Sequence, residues 1–251
     1  MRTNVLITGA SSGLGEGMAR LFAAKGHNLA LCARRVDRLE QLRASLVAAH
    51  PDVRVSTRAL DVNDHDRVFE VFRAFVEDLG SIDRVIVNAG LGKGGRIGTG
   101  RFDANRQTAM TNFVAALAQC EAAMEIFYQA NAGHLVVISS ISAMRGMPGA
   151  ITTYGASKAG VAALAEGIRS DVVGKPITVT TLFPGYIRSE MNERVAHKVR
   201  FMVDTETGCQ AMVAAIDKEV ATAVVPMWPW RPIGFVMRHG PLGQVRKLMA
   251  R

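Results

Sequence analysis

Short runs of apolar and β-branched residues alternate along this chain with longer stretches whose apolar positions return every three or four residues. The runs fall at Asn4–Thr8, Asn28–Ala33, Val53–Ala59, Arg84–Val87, Gly133–Ser139, Ile177–Phe183 and Thr222–Val225, and their brevity and branching predict strands. Between two of them, Val68, Val71, Phe72, Phe75, Val76 and Leu79 trace one helical stripe. Such alternation predicts an α/β fold built on a doubly wound parallel sheet with helices on both faces. Ligands of such sheets lie beyond the carboxyl ends of the strands, so candidate chemistry is sought there.

Composition narrows the picture. At 251 residues, 49% hydrophobic and 21% charged, the chain has globular composition and a length that fits one domain over 1–251. The formal charge of +8 comes from basic residues spread along the chain, without basic runs interleaved with aromatics. No nucleic-acid partner is therefore expected, and the charge favours an anionic cofactor. Cys32, Cys120 and Cys209 are far apart and the histidines are dispersed, which predicts no metal site and suits a reducing cytoplasm. Met1 runs directly into Asn4-Val5-Leu6-Ile7-Thr8, so no secretory leader is expected, and no apolar run approaches the ~18 residues of a spanning helix.

Thr8-Gly9-Ala10-Ser11-Ser12-Gly13-Leu14-Gly15 follows the first strand and opens the first helix. Glycines permit a tight turn and a close backbone approach, while free amides at a helix start attract phosphate, so this context predicts nucleotide binding. After the second strand, where an NAD site would place a carboxylate, stand Arg34 and Arg35. Two guanidiniums suit a 2′-phosphate, and NADP(H) is the expected cofactor; the plainer reading is two solvated residues in a turn. Asp61 and Val62 close the third strand region, where an Asp can accept from an adenine amino group. Asn88-Ala89-Gly90 closes the fourth, where Asn88 can tie strand ends and Gly90 can let backbone pass near a ribose.

Tyr154-Gly155-Ala156-Ser157-Lys158 lies in an alanine-rich segment of helical character. On a helix its phenol and ammonium leave one face a turn apart. A cation at ~4 Å, in an effective dielectric near ~20, contributes roughly 4 kcal/mol, enough to draw a phenol of pKa ~10 about three pH units toward neutrality. A lone pair at this spacing is more often a surface pair. Here it follows Val136-Val137-Ile138-Ser139-Ser140, an apolar run that delivers Ser140 to the sheet's carboxyl edge.

Taken in order, Thr8–Gly15, Asn88-Ala89-Gly90, Asn112, Ser140, Tyr154-x-x-x-Lys158 and Pro184-Gly185 resemble the short-chain dehydrogenase/reductase family over about the first three quarters of the chain. The resemblance implies a single-domain Rossmann sheet, a nicotinamide dinucleotide, no metal, a small-molecule carbonyl or alcohol substrate, and a homodimer or homotetramer. It also implies roles. Tyr154 is the general acid of reduction and the base of oxidation, Lys158 tunes it and holds the nicotinamide ribose, and Ser140 binds the substrate oxygen as charge develops. Asn112 anchors a water linking Lys158 to solvent. Pro184, Gly185 and Ile187 set backbone against the nicotinamide carboxamide. The sequence departs from the family at Ser189, where a Thr is usual, and at Val87, where a second Asn is common.

The same resemblance makes 190–251 a substrate lid and variable tail. Met191 to Met212 falls at the lid, and Met144 and Met147 are expected to face the same cleft, which predicts a hydrophobic substrate; a methionine-rich core is the competing reading. In the tail, Pro226-Met227-Trp228-Pro229-Trp230-Arg231-Pro232 precedes Leu242, Val245, Leu248 and Met249 at helical spacing, with Arg246, Lys247 and Arg251 nearby. A subunit contact or pocket wall is the expected role, with membrane-surface attachment the less favoured one. Rival functions are a nucleotide-sensing regulatory module without turnover, disfavoured by the intact Asn112, Ser140, Tyr154 and Lys158, and an epimerase or dehydratase on the same fold.

Overall fold

The computed structural model describes residues 2–192 and 201–249. Its strands are β1 (Asn4–Thr8), β2 (Asn28–Ala33), β3 (Val55–Ala59), β4 (Arg84–Val87), β5 (Gly133–Ile138), β6 (Ile177–Pro184) and β7 (Thr222–Val225). They form one sheet in the order β3-β2-β1-β4-β5-β6-β7, every neighbouring pair parallel. The winding reverses between β1 and β4, so the loops that leave these two strands part and open a crevice at their carboxyl ends.

Side-chain alternation along β1 sends Val5 and Ile7 to one face and Leu6 to the other. On the first face lie α1 (Gly13–Ala24), α2 (Val36–Ala49) and α7 (Thr205–Asp217), packing Met18, Phe22, Leu39 and Met212 onto the sheet. On the second, α3 (His65–Leu79), α5 (Ala115–Ala130) and α6 (Thr152–Asp171) contribute Phe72, Phe75, Phe127 and Val161. Each fully buried phenylalanine is worth about 1.5–3 kcal/mol by removal from water. The stripe read from Val68 to Leu79 is α3, started by the Asp64 carboxylate accepting from the Arg67 amide and stopped at Gly80, whose φ is 85°.

Two strand boundaries move inward from the sequence reading. Val53 belongs to a turn, its amide donating to the His50 carbonyl at 3.0 Å, and β5 ends at Ile138. Between α4 (Phe102–Ala109) and α5 the helix carries one π turn, Met110–Val114. The proline-rich tail forms a helix, α8 (Met227–His239), followed by α9 (Leu242–Met249). Pro229 and Pro232 sit near the start of α8, where a missing amide costs little, and Trp228 keeps extended backbone. No helix among the described residues is long and apolar enough to cross a membrane.

Candidate active site

The turn after β1 is shaped for close approach of backbone to a phosphate. Gly9 has φ +66°, and a Cβ on Gly15 would lie 2.3 Å from the Gly9 carbonyl oxygen, so neither position accepts a side chain. Ser12, which precedes α1, makes no capping hydrogen bond, and its hydroxyl instead accepts from Arg35 Nη2 at 2.5 Å. The first-turn amides of α1 thus lack a side-chain acceptor, and with the helix dipole they fit an anionic group. Arg35 also donates from Nε to Ser11 Oγ at 3.3 Å, whereas Arg34 is exposed.

Across the crevice, Asn88 joins β4 to β1: its Nδ2 donates to the Thr8 carbonyl at 2.9 Å, and its amide and that of Ala89 donate to Thr8 Oγ1 at 3.0 and 3.1 Å. Asp61 accepts from the Asn63 amide and side chain, and Val62 is buried in the core. Gly90 faces a polar hollow, since a Cβ there would lie 3.4 Å from Asn112 Oδ1 and 3.5 Å from Lys158 Nζ. Asn112 is held by its π turn and by a reciprocal pair with Leu91, Oδ1 accepting from the amide at 2.7 Å and Nδ2 donating to the carbonyl at 2.9 Å. π turns occur preferentially at functional sites.

The serines after β5 divide three ways. Ser139 Oγ donates to the Lys158 carbonyl at 2.7 Å, Ser142 pairs with the Tyr186 phenol, and Ser140 pairs with the Tyr154 phenol. Ser140 is thereby the hydroxyl beside Tyr154. Ser157, which sequence reading passed over, donates to the Tyr154 carbonyl at 2.8 Å and accepts from Asn112 Nδ2 at 3.3 Å, so it joins the two helices that carry the site.

Lys158 corrects the electrostatic expectation. Its ammonium, 6% exposed, donates to the Ile138 carbonyl at 2.7 Å, and burial pulls its pKa down to about 8. The Tyr154 phenol is pushed up, burial outweighing the Ser140 hydrogen bond that lowers it, with Tyr186 pushing it higher. Desolvation therefore dominates the phenol, and it stays a protonated acid at neutral pH.

The tail closes one side of this site. Trp230 is 4% exposed and lies over Gly185, where a Cβ would come within 2.3 Å of the indole. Its ring is 5.5 Å from that of Tyr186, and Ile141, Met147, Met237 and Val245 complete a small apolar cluster with it. Arg145 fastens the end of α8, Nη1 donating to the Gly240 carbonyl at 2.9 Å. Gly185 and Pro184 thus end β6 beneath the tail, and Ile187 is buried against Gly208.

Two expectations about methionines change. Met147 is buried in the tail cluster, and Met144 packs against it. Met212 is fully buried in α7, which packs on α1 with Cys209 against Gly17, so this methionine serves the core. Met191, half exposed, touches Gly92 across the crevice. The expected lid residues 193–200 and the side chains of Lys247, Leu248, Met249 and Arg251 lie outside the described part. The three cysteines are buried, with thiols pushed up to about 12 by burial, and pack as small apolar groups.

Residues 3–200 match the family described as short chain dehydrogenase. An uncharacterized oxidoreductase of Mycobacterium tuberculosis is 54% identical over 232 residues, which covers 92% of this chain and 91% of the relative. Among solved structures, a short-chain dehydrogenase from Sphingobium yanoikuyae in complex with NADPH has a TM-score of 0.82 at 26% identity, covering 98% of this chain and 95% of that one. A short-chain dehydrogenase/reductase from Burkholderia phymatum in complex with NAD shares the fold, with a TM-score of 0.80 at 21% identity over 90% of this chain and 89% of that one. Over its sequence and its sheet, this chain belongs to the short-chain dehydrogenase/reductase family of oxidoreductases.

Proposed function

We propose that this protein is an NADP(H)-dependent oxidoreductase that interconverts a carbonyl and a secondary alcohol on a hydrophobic small molecule. The observation that carries the reading is the Tyr154 phenol, kept protonated and beside Ser140, one helical turn before the buried Lys158 of the same helix. The nicotinamide supplies or accepts the hydride when bound. The glycine-rich turn and α1 hold its phosphates, Arg35 its 2′-phosphate, Asp61 and Val62 the adenine side, and Asn88, Ala89, Gly90 and Lys158 the riboses. Pro184, Gly185 and Ile187 supply the backbone that faces the carboxamide.

In reduction, Tyr154 donates its proton to the substrate oxygen while the Ser140 hydroxyl donates a hydrogen bond to the same atom as negative charge builds there. The phenol is protonated at neutral pH, so the proton is in place, and a bound substrate oxygen and the Lys158 charge must assist its transfer. Lys158, charged below about pH 8, stabilises the phenolate left behind, and Asn112 supports the polar path behind it. Tyr186 and Trp230 give the cleft an apolar wall, which supports a hydrophobic substrate. An alanine-lined groove of about 950 Å³ along β7, between α6 and α7, is the face on which we place the contact of a homodimer or homotetramer. Trp230, Met237 and Val245 give the tail its inward, wall-forming face.

Tyr154→Phe should lower turnover by roughly 10²–10⁴-fold while NADPH binding changes by less than about twofold. NADPH oxidation across a panel of carbonyls measures this, and near-wild-type turnover in the variant would overturn the assignment.

A further inference from the structure

Glu190 lies in the segment that follows β6, three residues beyond Ile187, and its carboxylate reaches over the glycine-rich turn to Arg35 and Arg38 at the start of α2. Oε2 accepts from Arg35 Nη1 at 2.9 Å, and Oε1 accepts a short hydrogen bond from Arg38 Nη1. The remaining donors of Arg35 go to Ser11 and Ser12. Ser189, next to Glu190, sits 3.3 Å from where a Cβ on Gly13 would be, so this segment rests on the turn itself. One carboxylate is therefore gripped by two guanidiniums beside the serines of a phosphate-binding turn. The two arginines hold its pKa below the ordinary carboxylate value, Arg38 first.

We propose that Glu190 is a built-in anion that occupies the receptor for the cofactor's 2′-phosphate and must be displaced by it, making Glu190 a determinant of NADP(H) over NAD(H) affinity. This rests on the NADP(H) reading above. The chemistry matches on both sides. A phosphate monoester carries more charge and more acceptor oxygens than a carboxylate, and guanidinium forks serve either. The side chains are between 41% and 48% exposed, so the pairs are weak enough to exchange. Arg34, the other arginine of the sequence expectation, is exposed beside this site, and Arg38 in the first turn of α2 joins Arg35 on the carboxylate.

The test is calorimetric titration of the full chain with 2′,5′-ADP and with 5′-AMP, nucleotides that differ by the 2′-phosphate. Glu190→Gln should bind 2′,5′-ADP roughly three- to tenfold more tightly than the wild type and bind 5′-AMP unchanged, as expected for release of two half-exposed ion pairs. Placed in an Arg35→Ala/Arg38→Ala background, the same substitution should add nothing. Unchanged or weaker 2′,5′-ADP binding by Glu190→Gln, or equal tightening of both nucleotides, overturns the competition. If the double arginine variant weakens both nucleotides equally, the NADP(H) reading itself fails; absence of binding by either nucleotide to every variant counts against both.

Discussion

Arg84, at the start of β4, and Lys158, on α6, are both buried cations, the first at the amino ends of the strands and the second reaching their carboxyl ends. Arg84, 3% exposed, meets Asp217 at 3.2 Å and Glu219 at 3.7 Å, and stacks over Phe22 at 5.5 Å. Its Nε donates to His134 Nδ1 at 2.9 Å, which leaves the ring proton on Nε2 to donate to Thr180 Oγ1, also at 2.9 Å; that hydroxyl donates onward to the Val220 carbonyl at 2.7 Å. The guanidinium is thus hydrogen-bonded and has carboxylates on two sides. Lys158 has the Ile138 carbonyl, and among the described residues no carboxylate pairs with it. A buried charge with acids around it joins strands; a buried charge without them is held at an electrostatic disadvantage that only its use explains.

Replacing each cation by an apolar side chain breaks or sharpens this contrast. Lys158→Met should lower turnover by roughly 10²-fold or more. At pH 7 it should also raise the unfolding free energy by up to about 3 kcal/mol, because an ammonium whose pKa falls from 10.5 to about 8 opposes folding. Urea unfolding reads the second effect, and a loss of stability would contradict it. Arg84→Met should do the reverse, costing about 1–3 kcal/mol through the unpaired His134 Nδ1 and the lost contact with Asp217, which keeps Lys25 as Glu219 keeps Arg2, while the folded fraction keeps its kcat.

The pH dependence of stability separates the two ends with smaller effects. His134 falls from 6.5 to about 3 on folding, chiefly by burial, and Glu219 falls from 4.5 to about 2, its bonds to Arg2 and Thr178 outweighing burial. Both groups bind more protons when unfolded, so their stabilisation is lost as pH falls from 6.5 toward 2. Lys158 gives the alkaline counterpart, stability rising between about pH 8 and 10.5. Urea midpoints from pH 4 to 10 should show both limbs. His134→Gln should flatten the acid limb alone, and a change on the alkaline side would mean that the ends are coupled.

Features set by local pattern were legible in the sequence. All seven strands lie within two residues of the runs that predicted them, and the glycine-rich turn and the Tyr154–Lys158 helix stand where their spacing put them. Features set by distant packing were not. Nothing around Lys158 announces that its ammonium turns to a β5 carbonyl, and nothing near Glu190 announces a partner on α2. Arg35 precedes α2 and Arg38 lies in its first turn, so only the folded turn brings their guanidiniums onto one carboxylate. The helix of the tail was not legible because of its prolines: Trp228 keeps extended backbone, Pro229 follows it at the start of the regular turns of α8, and Pro232 lies inside the helix.

The π turn at 110–114 also sets a phase. An α-helix advances about 100° per residue, so one residue held in a wider turn offsets everything after it by that angle. Asn105 and Thr108 face inward before it, and Ala115, Gln119 and Cys120 face inward after it. Met110–Val114 is thus a rotational coupling between two differently timed helix faces, and removing a single residue there would swing the buried face of α5 away from the sheet even though its hydrophobic pattern were untouched.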